Sequence, residues 1–264
     1  MTTANDRPAG TALDLTPAPG AAPLPRMVLA QAGAEIRAML RNGEQLLLTM
    51  IIPVLLLVGF SAAPLVNVGD GPRVDFMAPG VLALAVMSTA FTGQAIATGF
   101  ERRYGVLKRL GATPLSRGGL MLAKTLAVIA VEAVQVVIII GVALALGWRP
   151  GGSPLAALVL LLLGTAAFSG LGLLMAGTLR AEATLAGANL VYLLMLGCGG
   201  VVFPLSTFPD AMERVLELLP ISALTGGLRS VLADGAGPPV AAMTVLAAWA
   251  AVSLLAASRT FRWE

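Results

Sequence analysis

The chain has 264 residues, of which 57% are hydrophobic and only 12% charged, and its mean hydropathy is +0.88. A soluble domain of this composition could not keep its surface hydrated, so the sequence predicts an integral membrane protein. The net charge is +3, but the basic residues are not gathered with stacking aromatic side chains in a soluble segment. A nucleic-acid partner is therefore not predicted.

The composition also excludes several kinds of catalytic site. The chain has no histidine and a single cysteine, Cys198, so neither a Ser-His-Asp triad nor a cysteine cluster for a metal can be assembled. No G-x-x-x-x-G-K-[ST] loop occurs that could hold the phosphates of ATP. We therefore expect no enzymatic activity and no cofactor bound by this chain.

The N-terminal region divides into two parts. Residues 1–25 are rich in Ala, Pro, Thr and Gly and have no apolar core of the signal-peptide kind, which predicts a disordered cytoplasmic tail. Residues 26–41 then place Val28, Ala32 and Ile36 on one side of a helix. We expect this amphipathic helix to lie at the lipid headgroups.

Long apolar runs follow, each long enough to cross about 30 Å of hydrocarbon as a helix. The sequence thus predicts an all-α fold with one transmembrane domain over residues 26–264. The six predicted spans cover residues 45–66, 76–99, 118–147, 154–178, 183–203 and 239–258.

Positive charge predicts how these spans are oriented. Six spans place both termini on one side, and thirteen of the seventeen Lys and Arg residues fall on that side. The opposite side has only Arg73, Arg149, Arg214 and Arg229. By the positive-inside rule, both termini are predicted to be cytoplasmic.

Residues 101–117, ERRYGVLKRLGATPLSR, form a basic segment between the second and third spans. Phe100, Tyr104, Leu107 and Leu110 recur at helical spacing, which predicts one short amphipathic helix that ends near Gly111. The alternative is a solvated loop whose positive charge only sets the topology.

A second informative segment, residues 204–238, lies between the fifth and sixth spans. Pro209 can start one short helix, Pro220 ends it, and Ser222 can cap another. We expect two external half-helices that dip into the outer leaflet or cover the bundle. Backbone freedom at Gly226 and Gly227 suggests an external gate that includes Pro209 and Pro220.

Glu132 and Gln135 lie one helical turn apart near the middle of the third span. A carboxylate at that depth is costly and usually faces the bundle interior, a partner or water. One interpretation is a polar feature of a translocation path or of a subunit interface. The other is a neutral Glu132 that hydrogen-bonds Gln135 or a polar group such as Gln94 or Asn189.

Two segments resemble the type-2 ABC-transporter permeases, the group that includes daunorubicin-resistance-type exporters. In the basic segment the matching residues are Glu101, Arg102, Gly105, Leu107, Lys108, Arg109, Leu110, Ala112, Thr113, Pro114, Leu115 and Ser116. In the hairpin they are Pro204, Leu205, Ser206, Phe208, Pro209, Leu219 and Pro220.

The resemblance implies a bacterial plasma-membrane permease that exports an amphipathic drug or a lipid. It also implies two copies of a cytoplasmic ATPase, which would hold ATP and magnesium, and a second permease of the same or a related kind. Within the class, the alternative cargo is a polysaccharide or another cell-envelope precursor. A rival from another class is a membrane enzyme or assembly factor without a transport role.

The resemblance further implies that the basic segment is a coupling helix that docks on the ATPase. Tyr104 and Leu107 are then expected to be apolar anchors in a groove of the ATPase. The expected rim charges are Glu101, Arg102, Lys108 and Arg109.

Overall fold

The computed structural model describes residues 20–62 and 72–260. Positions 1–19 of the predicted tail, 63–66 of the first predicted span and the last four residues lie outside these ranges. The helices are α1 (Leu24–Arg41), α2 (Gly43–Ala62), α3 (Arg73–Val86), α4 (Gln94–Arg103), α5 (Val106–Gly111), α6 (Arg117–Ala145), α7 (Pro154–Thr178), α8 (Ala181–Cys198), α9 (Asp210–Leu216), α10 (Pro220–Leu232) and α11 (Val240–Thr260).

The described residues form an all-α membrane protein with no strands. Five helical segments are long and apolar enough to cross a bilayer, namely Arg73–Arg103, α6, α7, α8 and α11. They correspond to the second to sixth predicted spans. The first predicted span, residues 45–66, corresponds to α2.

The second span is continuous from Arg73 to Arg103 but contains a π-helix over Met87–Gly93 between α3 and α4. This span is the most buried of the five, and it packs against α7, α8 and α10. Gly172 of α7 permits the close approach, because a Cβ there would lie 2.8 Å from the carbonyl oxygen of Phe91. The span is therefore the centre of the bundle.

Two serines begin the helices on either side of the loop after α6. The Ser116 hydroxyl accepts a hydrogen bond from the Gly119 backbone N–H at 3.1 Å, and the Ser153 hydroxyl accepts one from Ala156 at 3.4 Å. Pro154 follows at the first position of α7, where its missing N–H costs nothing. These caps explain why the predicted bounds of both spans agree closely with the structure.

The bundle has two ends, which are named here by the short helices that mark them. At the α5 end, a small apolar cluster joins α1, α5 and the start of α6 to the last turns of α7 and α11. At the α9 end, α9 and α10 are bent by 92° relative to each other, which confirms the predicted hairpin.

The hairpin nevertheless differs from the prediction in its packing. The second helix starts at Pro220 rather than at a cap formed by Ser222. All of α10 is buried except Gly226, Arg229 and Ser230, and it packs against α3, α7 and α11. Since α10 belongs to the core of the bundle, it is not a loose cover over the bundle.

Candidate functional site

The predicted coupling helix is broken into two. The chain ends α4 at Arg103 and turns at Tyr104 and Gly105 before α5 begins. Gly105 has φ +72°, a left-handed conformation that glycine adopts without strain. The prediction of a single amphipathic helix is therefore wrong, because α4 ends before the left-handed Gly105 and α5 begins after it as a separate short helix.

This break places the two predicted anchors in opposite environments. Tyr104 is 68% exposed, whereas Leu107 is fully buried and packs with Val28, Ala32 and Leu120. Leu107 therefore holds α5 to α1 and α6 and is not available to a groove on another protein. Lys108 and Arg109 are exposed on the outer side of α5.

Three charged residues at the end of α4 fix this corner to its neighbours. Arg102 donates a hydrogen bond to the Leu179 carbonyl, and Arg103 forms an exposed ion pair with Glu182 of α8. Glu101 instead faces inward, because its carboxylate lies 2.6 Å from the buried Lys124 ammonium. Glu101 is thus part of an internal contact and differs from the predicted rim charge.

Lys124 is shared by three helices. Its ammonium group also lies 3.0 Å from Glu35 of α1, so α1, α4 and α6 meet at one cation. The Lys124 side chain is only 4% exposed. An ion pair this well shielded from solvent is screened far less than a surface pair, so its loss would be felt at all three helices.

Glu132 and Gln135 have separate partners in the middle of the bundle. The Thr165 hydroxyl of α7 donates to one carboxylate oxygen of Glu132. Gln135 accepts from the Thr89 hydroxyl at 2.9 Å and donates to the Thr49 carbonyl at 3.1 Å. Gln135 therefore links α2 to the π-helix, and the pairing of Glu132 with Gln135, Gln94 or Asn189 that the sequence suggested is replaced by Thr165.

A groove of about 720 Å³ lies between α2, the central span and α8. The π-helix contributes Ser88, Thr92 and Gly93, and α8 contributes Leu185, Asn189 and Tyr192. The Thr92 hydroxyl is buried and has no hydrogen-bond partner among the described residues. Such π-helical segments are frequent at functional sites, and this one presents polar groups to a mostly apolar groove.

Sequence reasoning missed the groove residues Thr92 and Tyr192, and it named Asn189 only as a possible partner of Glu132. A detectable pattern was present, because all three are polar or amphipathic residues within predicted spans. Glu132 and Gln135 do not line the groove. The π-helix determines which polar residues face the groove. The pattern of apolar residues does not predict a π-helix, so these residues could not be assigned from the sequence.

The predicted gate residues do not form one unit. Pro209 precedes α9, while Pro220 is the buried first residue of α10. A Cβ on Gly226 would meet no atom, but one on Gly227 would lie 3.0 Å from a methyl group of Leu160. Gly227 is thus packed closely against Leu160, and a gate that includes these residues stays a prediction.

The family model described as ABC-2 type transporter matches residues 28–233. The chain belongs to the ABC-2 type transporter family. No curated protein matches it. The matched range contains most of α1, the corner at Gly105, the groove and the hairpin, whereas α11 follows it in sequence.

Membership assigns the general role. The chain is a multi-pass membrane component of an ABC transporter, a permease that is not itself catalytic. The family implies an ATPase partner. This agrees with the absence of a phosphate-binding G-x-x-x-x-G-K-[ST] loop from the sequence.

Proposed function

We propose that this ABC-2 protein is the permease subunit of an exporter of the daunorubicin-resistance type in the bacterial plasma membrane. Its cargo is an amphipathic drug or lipid, and the groove between α2, the central span and α8 is the path. The single observation that supports this most is the lining of the groove. Ser88, Thr92 and Asn189 provide hydrogen bonds, while Ile52, Ile96 and Leu185 provide an apolar wall.

The α5 end faces the cytoplasm in this proposal, since the positive-inside rule places the basic segment there. Two copies of the ATPase dock on the corner between α4 and α5 of two permeases. The exposed Tyr104 and the outward Arg109 are the contacts, and Leu107 transmits their movement to α1 and α6 from inside the bundle.

A second permease, of the same or a related sequence, closes the groove. The exposed side of α8 supports this arrangement, because its large apolar side chains lack neighbours within the described part of the chain. Leu190, Leu193 and Leu194 are each 58–62% exposed. In the proposed dimer this row packs against the second permease.

Export is tested with calcein acetoxymethyl ester, an uncharged fluorescent amphiphile. The permease is produced in cells together with the ATPase that co-purifies with it. These cells should accumulate less dye than cells that produce neither protein. Thr92→Val and Asn189→Leu should reduce this export several-fold at a normal protein level. Thr244→Val is the matched control, because that hydroxyl lies on α11 and bonds only carbonyls of its own helix. Wild-type export by both groove variants would refute the path.

Coupling is tested by co-purification of the ATPase in detergent. Arg109→Glu should weaken the complex about tenfold at low salt and less at high salt, whereas Arg149→Glu, at the other end of α6, should not. Tyr104→Ala should also weaken it with unchanged stability. Leu107→Ala should instead lower the free energy of unfolding by about 2–5 kcal/mol, because it leaves a cavity in a packed cluster. Wild-type co-purification of Tyr104→Ala and Arg109→Glu would exclude the corner as the docking site.

A further inference from the structure

A second cavity, of about 250 Å³, lies at the α5 end between α1, α4 and α6. Its polar wall consists of Glu35, Gln94, Thr98, Glu101 and Lys124. The cavity shares Asn42, Ala97 and Phe100 with the groove, so the two are neighbours along the central span.

The ionic groups of this wall do not balance. Two carboxylates, from Glu35 and Glu101, surround the single ammonium group of Lys124 at 3.0 and 2.6 Å. Their side chains are only 13% and 25% exposed. Two carboxylates therefore share one ammonium group in a poorly hydrated place, where an uncompensated charge would be costly.

An independent feature of the same wall also points to a ligand. Gln94 is only 2% exposed, and neither its amide nitrogen nor its amide oxygen has a hydrogen-bond partner among the described residues. The hydroxyl of the fully buried Thr98 is likewise without one in this part of the chain. Gln94, Thr98 and Glu101 lie at i, i+4 and i+7 of α4, so an amide, a hydroxyl and a carboxylate share one helix face.

The remaining surface identifies the class of ligand. An anion would meet two carboxylates, and a bare metal ion would need several free oxygen ligands, whereas both carboxylates here already contact Lys124. Most other lining residues are apolar, and the rings of Phe100 and Tyr104 stack with their centroids 6.2 Å apart. The volume holds about eight waters at liquid density. This is room for an ammonium group with a small apolar body beside an aromatic face.

We propose that this cavity binds the primary ammonium group of an amphipathic molecule. The ammonium lies between Glu101 and the Gln94 amide oxygen, and the apolar body contacts Phe100 and Met39. The proposal that the cavity binds an ammonium group follows from the cavity's own residues. The further proposal that the cavity is an entry site for cationic cargo on its way to the groove rests on the proposed function.

The test uses the full-length permease in nanodiscs of phosphatidylcholine, without the ATPase. 2-Phenylethylamine is titrated by isothermal calorimetry, with 2-phenylethanol and phenylacetate as the uncharged and anionic matches and empty nanodiscs as the blank. We expect binding of the amine alone. Glu101→Gln and Gln94→Leu should each weaken it at least tenfold, whereas Glu217→Gln, an exposed glutamate at the α9 end, should not.

A third variant keeps the test decisive if either substitution prevents folding. Thr98→Val preserves the shape of the side chain, and it should weaken amine binding several-fold. Equal binding of amine and alcohol would overturn the proposal, as would unchanged amine binding in the cavity variants or displacement of the amine by millimolar potassium.

Nanodiscs that contain phosphatidylethanolamine distinguish two sources of the ammonium group. If this lipid competes with the amine, the ligand is a lipid headgroup. If it does not compete, the ligand is a soluble amphipathic amine. Either result is consistent with an ammonium site. No transport is measured, so failure here leaves the export of the uncharged dye standing. Loss of dye export would equally leave the binding result intact.

Discussion

The two ends of the bundle are held together by different kinds of contact. At the α5 end, charged side chains bridge the helices through Glu35, Glu101 and Lys124 and through Arg103 and Glu182. At the α9 end, the Arg229 side chain donates to backbone carbonyls of Phe76, Gly200 and Val201 at 3.1, 2.5 and 3.0 Å.

Backbone packing adds to the second kind of contact. A Cβ on Gly80 would lie 2.8 Å from the carbonyl oxygen of Val201, and one on Gly152 would lie 2.1 Å from that of Val231. Gly151 donates a hydrogen bond to the Leu232 carbonyl at 2.8 Å. Segments from four parts of the chain thus touch through their main chains, where no side chain can move aside.

This difference indicates where movement is possible. Ion pairs can exchange partners during a cycle, whereas backbone contacts of this closeness separate only as rigid pieces. The α5 end is therefore suited to receive motion from an ATPase. At the α9 end, α10 moves with α3 and the segment after α8, so any external gate involves this assembly as a whole.

The largest expected effect comes from Arg229→Met. The guanidinium makes three hydrogen bonds to carbonyls and lies 3.5 Å from the centre of the Phe76 ring, all of which methionine loses. We expect the free energy of unfolding to fall by about 4 kcal/mol, because buried carbonyls are left without donors. Titration with SDS in mixed micelles measures it.

Arg149→Met serves as the control, since Arg149 is exposed at the same end. Its substitution should change the unfolding free energy by less than about 0.5 kcal/mol. Equal, small losses in both variants would show that the α9 end does not depend on this residue and would remove the contrast between the ends.

A matched pair of glycine substitutions compares the ends directly. Gly105 and Gly152 have nearly the same left-handed φ, +72° and +68°, but a Cβ meets no atom at Gly105 and meets the Val231 carbonyl at Gly152. Alanine should cost about 1 kcal/mol at Gly105 for backbone strain alone. At Gly152 the contact should raise the loss to about 2–3 kcal/mol.

Thermal unfolding in detergent, followed by size-exclusion chromatography, ranks the two alanine variants. The larger drop in melting temperature is expected for Gly152→Ala. The reverse order would mean that the α9 end yields to the added methyl group, which would contradict its rigidity.

The sequence predicted the spans well because their apolar runs end at strong local signals. The fourth span, residues 154–178, matches α7 residue for residue since Ser153 and Pro154 begin it and the polar Arg180 follows it. The hairpin was likewise predicted from two prolines. Caps and prolines act within a few residues, so the sequence alone identifies them.

The sites were harder to predict because they depend on tertiary geometry. One left-handed glycine, Gly105, decides that Leu107 faces inward and Tyr104 outward, although both belong to the same apolar stripe. The π-helix in turn decides that Thr92 lines the groove. Nor does any local pattern indicate that Glu101 would meet Lys124 and Glu35, which are 23 and 66 positions away in sequence.

The smallest expected effect concerns the layer between the two ends, where Glu132 and Gln135 differ. Glu132 lies outside the groove lining, and its partner Thr165 also contacts the Leu161 carbonyl of its own helix at 2.9 Å. Thr165 therefore keeps a partner in Glu132→Leu, and we expect a stability change below about 1 kcal/mol and unchanged export of the dye.

Gln135→Leu should instead reduce export several-fold, because it leaves Thr89 and the Thr49 carbonyl without the amide that ties α2 to the π-helix. Dye export and protein level, measured for both variants beside Glu132→Gln, decide this. Lost export in Glu132→Leu at a normal protein level, with full export in Glu132→Gln, would return Glu132 to the translocation path.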